Sequence, residues 1–344
     1  TSRRVIRPSA GLNLMHISRS LRQIACGLLL GLVLPGTSLA ADPNKILRTY
    51  FPAAEDGFDP AQSASAYVVT LAEGIFEPLL TYDYLARPSR LAPMTAEALP
   101  EISDGGRTYT FRIKKGIYFT PDPAFRGQKR ELTARDYIYT IERFMDPQLR
   151  SPWLFLFEGK IEGLDELAAE AKKTGRFDYD RKIAGLTAPD RYTLRIRLKA
   201  PDYNFSYILA QGSLGALARE VVEAYGNEII AHPVGTGPYM LQEWKRRNRI
   251  VLIANPDYRG FIWDFQPSAD PDDAALVQAM KGKRMPQVGR VEISLIEEPQ
   301  SLWLAFKGGQ LDAVNLPQQF APEALVNGQL AAPFRRQGIR LFRA

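Results

Sequence analysis

Apolar residues recur along this chain with two periods, and each period predicts a different element. Tyr109, Phe111 and Ile113 alternate with Thr110, Arg112 and Lys114. Tyr192, Leu194, Ile196 and Leu198 alternate with Thr193, Arg195, Arg197 and Lys199. Alternation puts the apolar side chains on one face, so both runs predict half-buried strands. Shorter strand signals lie at 46–51, 239–244, 249–254, 288–296 and 311–315, and the basic run 245–248 reads as a solvated hairpin tip. Helical spacing appears at 67–76, 137–145, 163–173, 214–225 and 299–307. In the second of these Tyr137, Ile138, Ile141, Phe144 and Met145 share a face, with Thr133 and Asp136 as a weak capping box and Asp146-Pro147 as the stop. Gly226 sits where the helix ending at 225 needs a left-handed residue. Asp104-Gly105-Gly106 is a strong turn, and the polar stretch 259–286 reads as a surface insertion. Strands mixed with helices give an α/β class.

Length and composition narrow the picture. A chain of 344 residues suits about two domains, and 45% hydrophobic with 24% charged residues is an ordinary globular mix. The N-terminal stretch reads as export signal. From Met15, a basic segment (Arg19, Arg22) leads into an apolar run over 24–34 and then the small residues Ser38-Leu39-Ala40. The run is shorter than the ~20 residues a membrane helix needs. A cleavable leader with the cut between Ala40 and Ala41 is therefore expected, with residues 1–14 lying upstream of the start. Cys26 precedes most of the apolar run, whereas a lipid-anchored cysteine should follow it, so Cys26 is expected to leave with the leader.

Removing the leader changes the charge argument. Five of the 44 basic residues and none of the 38 acidic ones lie in 1–40, leaving 39 against 38. The formal +6 thus gives no support for nucleic-acid binding. It also leaves His232 as the single histidine and no cysteine, so the usual zinc sets cannot be assembled. There is no G-x-S-x-G elbow and no G-x-x-x-x-G-K-[ST] loop. Asp270, Asp272 and Asp273 lack the glycine and distal glutamate of an EF-hand loop. No cofactor or metal is expected.

The stretch HPVGTGPYM at 232–240 raises a phosphate-loop reading and then refuses it. The third glycine is missing, and Pro238 and a strand follow where phosphate binding needs a helix N-terminus. The glycines are expected to let the backbone turn tightly into the strand. The aromatic run SPWLFLF at 151–157 is open between core packing and a pocket wall.

Seven segments, in order, resemble the periplasmic solute-binding proteins of peptide-type ABC importers, the oligopeptide and dipeptide family. They are FDP at 58–60, EGIFEPLLTYD at 73–83, SDGGRTYTFRIKKGIYF at 103–119, ELTARDYIYTIERFMDP at 131–147, VGTGPY at 234–239, NPDY at 255–258 and KGGQLDAV at 307–314. The resemblance implies a two-lobed clamp with mixed sheets. Lobe I would comprise 41–76 and 186–295, an inserted subdomain 77–185, and 296–344 would begin a second lobe that is incomplete here. It implies that the loop after FDP pairs its backbone with a peptide like an added strand, which places Ser63, Ala64, Ser65, Ala66 and Tyr67 at the ligand. Trp153, Phe155 and Phe157 are the second choice, as wall residues. The family's main acidic contact for a peptide amino group falls in the part not present.

The expected function is a monomeric periplasmic receptor that binds a peptide or similar small solute and delivers it to the permease subunits of an ABC importer. No bond is broken, and a separate subunit uses ATP. The rival readings are an exported hydrolase built on a carboxylate pair, and a chaperone or signalling offshoot of the same family. Nothing in the sequence singles out such a pair.

Overall fold

The alternating runs become strands of two separate four-stranded sheets. A computed structural model describes residues 41–266 and 271–342, without the side chains of 271–273. The expected leader and the Asp270, Asp272 and Asp273 side chains fall outside that description. In chain order the strands are β1 (Asp42–Phe51), β2 (Glu101–Ser103), β3 (Thr108–Arg112), β4 (Leu186–Thr187), β5 (Thr193–Arg197), β6 (Tyr239–Lys245), β7 (Arg249–Ala254) and β8 (Val288–Leu295). The principal helices are α1 (Ala66–Ile75), α2 (Ala134–Met145), α3 (Leu164–Thr174), α4 (Arg219–Tyr225) and α5 (Pro299–Lys307).

The first sheet has the order β1-β8-β7-β6 and is mixed. β1 runs parallel to β8, with Tyr50 opposite Ser294, while β7 is antiparallel to both β8 and β6. The chain between Phe51 and Val288 therefore separates two neighbouring strands; it leaves the sheet after β1 and returns to it first as β6 and β7. The second sheet, β2-β3-β5-β4, is antiparallel throughout, with Tyr109 opposite Ile196. Its alternation works as the sequence predicts. Tyr109, Phe111, Leu194 and Ile196 are buried, while Arg112, Arg195 and Arg197 face solvent. Each such buried side chain contributes roughly 1.5–3 kcal/mol.

α2 and α3 cover the buried face of the second sheet. Tyr137, Ile141, Phe144 and Met145 join Leu164, Leu167, Ala168 and Ala171 in one core. α2 starts with the predicted box, the Thr133 amide donating to Asp136 at 2.7 Å. A second core lies between α1 and the first sheet, from Val68, Leu71 and Ile75 to Leu252 and Ile293. A third, small one surrounds Trp303 with Ala324, Ala331 and Phe334.

Tertiary packing overrides the sequence pattern at several places. The helix expected at 214–225 is helical only over Arg219–Tyr225. Before it, Gly215 lies so close to Phe76 that a Cβ there would stand 2.4 Å from the Phe76 Cβ, and 212–218 fills the interior in non-α conformation. The strand expected at 311–315 is irregular, although Asp312 still donates its amide to the Arg48 carbonyl of β1 at 2.9 Å. The 259–286 segment carries a small ladder, Phe261–Ile262 with Arg284–Met285, on either side of a helix at Pro271–Met280. The second sheet draws on both 101–112 and 186–197, so a boundary at 185/186 passes through it.

Gly235 and Gly237 are small for a different reason from a tight turn. Both backbones rest on the end of α1, the Gly237 amide donating to the Ile75 carbonyl at 2.8 Å. A Cβ on Gly235 would come within 2.0 Å of that oxygen, and one on Gly237 within 2.7 Å. Close approach, not turn geometry, demands glycine here.

Candidate ligand cleft

The loop after Phe58-Asp59-Pro60 is held from three sides. Asp59 is buried, accepts the Ala61 amide at 3.1 Å, and forms an ion pair with the equally buried Arg143 of α2. Burial works against the Arg143 charge, and the neighbouring Asp59 outweighs it, so its pKa lies above the ordinary value. A buried pair of this kind fixes geometry more than it adds stability. Asp56 forms the second hold. Its carboxylate accepts the Ser63 hydroxyl at 2.5 Å and the amides of Ala64 and Ser65 at 2.8 and 3.2 Å. The third hold is Trp153, whose indole Nε1 donates to the Ser63 carbonyl at 2.7 Å.

The two candidate stretches, 90 residues apart, therefore meet at Ser63 and Trp153. Their members part company beyond that. Ser63 is buried, Ala64 exposed and Ser65 half-buried, and these three are extended or irregular. Ala66 and Tyr67 already belong to α1, so the stretch is not a strand along its whole length. The Ala64 and Ser65 amides are committed to Asp56. Among the described residues the Ala64 carbonyl has no partner, and helix geometry leaves the Ala66 and Tyr67 amides without an intrahelical acceptor. Phe155 is 61% exposed and lies beside Trp153. Phe157 is wholly enclosed, packed between Phe144 and Phe205, and belongs to the core rather than to any wall.

Tyr67 leads to the larger feature. Its ring lies 5.2 Å from Phe51, at the edge of a cleft of about 800 Å³. One side of the cleft comes from the end of β1 (Thr49, Tyr50, Pro52) and Tyr67. The other comes from Phe306 at the end of α5, the stretch 312–316 and the stretch 337–342. Asp312 ties the two sides together, accepting the Arg48 amide at 2.6 Å. A cleft of this size, with aromatic walls and scattered main-chain groups, suits a small organic ligand. The sequence carries no signal for Asp56, one acid among many, or for Phe306 and Tyr50 as wall residues. Among the described residues no group of three or more His, Cys, Asp and Glu could hold a metal ion. None of their helices is long and apolar enough to cross a membrane.

One mixed sheet, one antiparallel sheet and the helices packed on them define the class, an α/β fold. Solved structures with this fold include Haemophilus influenzae OppA in complex with RPPGFSPFR, at TM-score 0.62 and 21% identity, over 82% of this chain and 48% of that one. The Escherichia coli murein tripeptide binding protein MppA matches at TM-score 0.61 and 21% identity, over 83% and 48%. Residues 90–340 match the family model of bacterial extracellular solute-binding proteins, family 5 Middle, and the chain belongs to that family. Similar curated proteins include di/tripeptide-binding protein 2 of Pseudomonas aeruginosa, 27% identical over 68% of this chain and 41% of its own length. The dipeptide-binding protein of Escherichia coli is 27% identical over 66% and 44%. The chain thus spans less than half the length of these relatives. The family is one of binding proteins.

Proposed function

We propose that this protein is an extracytoplasmic receptor that binds a peptide or similar small solute in the cleft beside Tyr67 and hands it to an ABC importer permease. The observation that carries the reading is the family match over 90–340, in a chain whose FDP loop is fixed beside an aromatic-walled cleft. Main-chain groups suit ligands of variable sequence, because they do not read side chains. Here the Ala64 carbonyl and the first-turn amides of α1 would receive the ligand backbone, with Trp153 and Phe155 alongside. The rest of 63–67 acts through its hold on Asp56. The protein works as a monomer in the periplasm, exported by the 15–40 leader, and carries out no reaction. Lobe I takes 41–76 and the first-sheet strands up to 295, and the second lobe begins near 296. The inserted subdomain runs from 77 and is carried on to 198, because β4 and β5 pair within its sheet.

Calorimetric titration of the full-length gene product with a panel of di- and tripeptides tests this. Saturable binding of intact peptide in the micromolar range or tighter is the expected result. Failure to bind any member, or recovery of cleaved peptide, would overturn it.

A further inference from the structure

A second cavity, of about 590 Å³, opens between α2, α4 and the stretch 179–188. It shares no lining residue with the cleft beside Tyr67. Part of its wall is apolar or aromatic, from Ile138, Leu186 and the rings of Tyr139 and Tyr179, which lie 5.0 Å apart. Glu142 of α2 also lines it, and is only 3% exposed. Among the described residues it has no hydrogen-bond or ion-pair partner.

The surrounding charges do not meet that need. Arg219 is engaged by Asp180 at 2.6 Å and by Glu223 at 2.5 Å. Arg130 is engaged by Asp136 at 2.6 Å and by Glu220 at 2.8 Å. Arg181 pairs with Glu170. Arg135 and Lys182 are exposed and make no ion pair among the described residues, nor does either reach Glu142. The Glu142 oxygens are not among the fully enclosed side-chain atoms that lack a partner, so they open onto the cavity, where a donor from outside the chain can reach them. Burial first, then Asp180 and Asp178, push the Glu142 carboxyl up to about 8 against the opposing pull of Arg219. At neutral pH the group is therefore largely a neutral acid. A cation reaching it would find a carboxyl ready to ionise, beside two rings that each already carry a guanidinium, Arg143 at 5.9 Å from the Tyr139 centroid and Arg219 at 6.0 Å from that of Tyr179, so the rings offer apolar contact rather than an open cation site.

We propose that this cavity is a second binding site, for a small organic amine whose ammonium pairs with Glu142 while its apolar body lies against Tyr139 and Tyr179. On binding, the Glu142 carboxylic acid gives its proton to water, the ammonium keeps its three, and a carboxylate–ammonium pair forms. One proton leaves per amine bound at neutral pH. The site stands whether or not the cleft beside Tyr67 takes a peptide.

The test is calorimetric titration of the full-length chain with phenethylammonium chloride at pH 6.0, 7.0 and 8.5, in buffers of different ionisation heat. Saturable binding is expected, tightening roughly tenfold between pH 6 and 7 and releasing close to one proton there. Glu142→Gln should weaken binding at pH 8.5 at least tenfold and abolish the proton release. Carbon-13 NMR of the wild-type Glu142 carboxyl at pH 7 supplies a readout that needs no variant. Its signal should move from the acid to the carboxylate position as amine is added. No saturation at millimolar amine, or saturation with the Glu142 signal unmoved, overturns the proposal. Undiminished binding by a folded Glu142→Gln protein does the same.

Discussion

Glu142 should make the folded protein lose stability as the pH rises, and Glu142→Gln should remove that loss. In the unfolded chain the group titrates near 4.5, and in the folded protein near 8. Below about pH 4.5 it is protonated in both states and contributes no difference. Between 4.5 and about 8 the folded protein keeps a proton that the unfolded chain has released, so the folded state binds more protons and stability falls with pH. Each pH unit is worth ~1.4 kcal/mol, and the ~3.5 units between the two values give roughly 5 kcal/mol, complete above pH 8. That is a large share of the ~5–15 kcal/mol by which proteins of this kind are stable. The amide of the variant cannot ionise. Urea unfolding of both proteins at pH 5, 7 and 9 isolates the effect, because any constant difference between acid and amide cancels across pH. The variant should gain on the wild type by about 3–5 kcal/mol from pH 5 to pH 9. A gap that changes by less than ~1 kcal/mol over that range would show that Glu142 is solvated or partnered in solution and would refute the reasoning.

Arg259→Met should destabilise the protein by roughly 3–5 kcal/mol, since it strips the bidentate partner at 2.6 and 2.8 Å from the fully buried Glu77. Urea unfolding reads this directly, and a loss under ~1 kcal/mol would count against it. Gly235→Ala should cost about 1–3 kcal/mol or more by forcing its Cβ into the Ile75 carbonyl, read as a lowered melting temperature. Trp153→Phe removes the donor to Ser63 while keeping an aromatic ring, so peptide affinity should fall roughly fivefold, about 1 kcal/mol, with little change in melting temperature. Unchanged affinity in the calorimeter would separate Trp153 from the ligand loop. Asp56→Ala frees the Ala64 and Ser65 amides, and hydrogen exchange should be faster at those two positions than in wild type.

The strands are legible where one face meets one core: the alternation around Tyr109 and Leu194 buries a single side, so periodicity alone identifies them. The helix α2 is buried at ten of its 12 positions, and it is legible because its capping box and the Asp146-Pro147 stop mark its ends while polar residues interrupt the stripe of Tyr137, Ile141 and Phe144. The pattern fails where a segment is enclosed on all sides. Over 212–218 every residue is buried, and a run of small residues with only Leu214 and Leu217 as larger side chains carries no period to read. Leu311 to Asn315 fails for the opposite reason. Its backbone is tied through Asp312 to β1, a contact set by a partner more than 260 residues away.

The same contrast governs the sites, and three buried acidic side chains show it. Asp59 and Glu77 sit in segments that the sequence already marks, FDP and the EGIFEPLL run, and each has an arginine partner, Arg143 or Arg259. Each is paired with an arginine, so Asp59 pins its loop to α2 and Glu77 pins the segment at Tyr258 and Arg259 that follows β7. Glu142 sits one residue from Arg143 in the same marked helix, yet it points into a different environment and has no partner among the described residues. A sequence motif cannot tell these cases apart, because the difference lies in which arginine the fold brings within 3 Å. The Glu142 oxygens are not among the enclosed atoms without a partner, so the group opens onto the second cavity, where a donor from outside the chain can reach it. That argument separates the second cavity from the pins around it, and it locates the ligand question at Glu142 as well as at the cleft beside Tyr67.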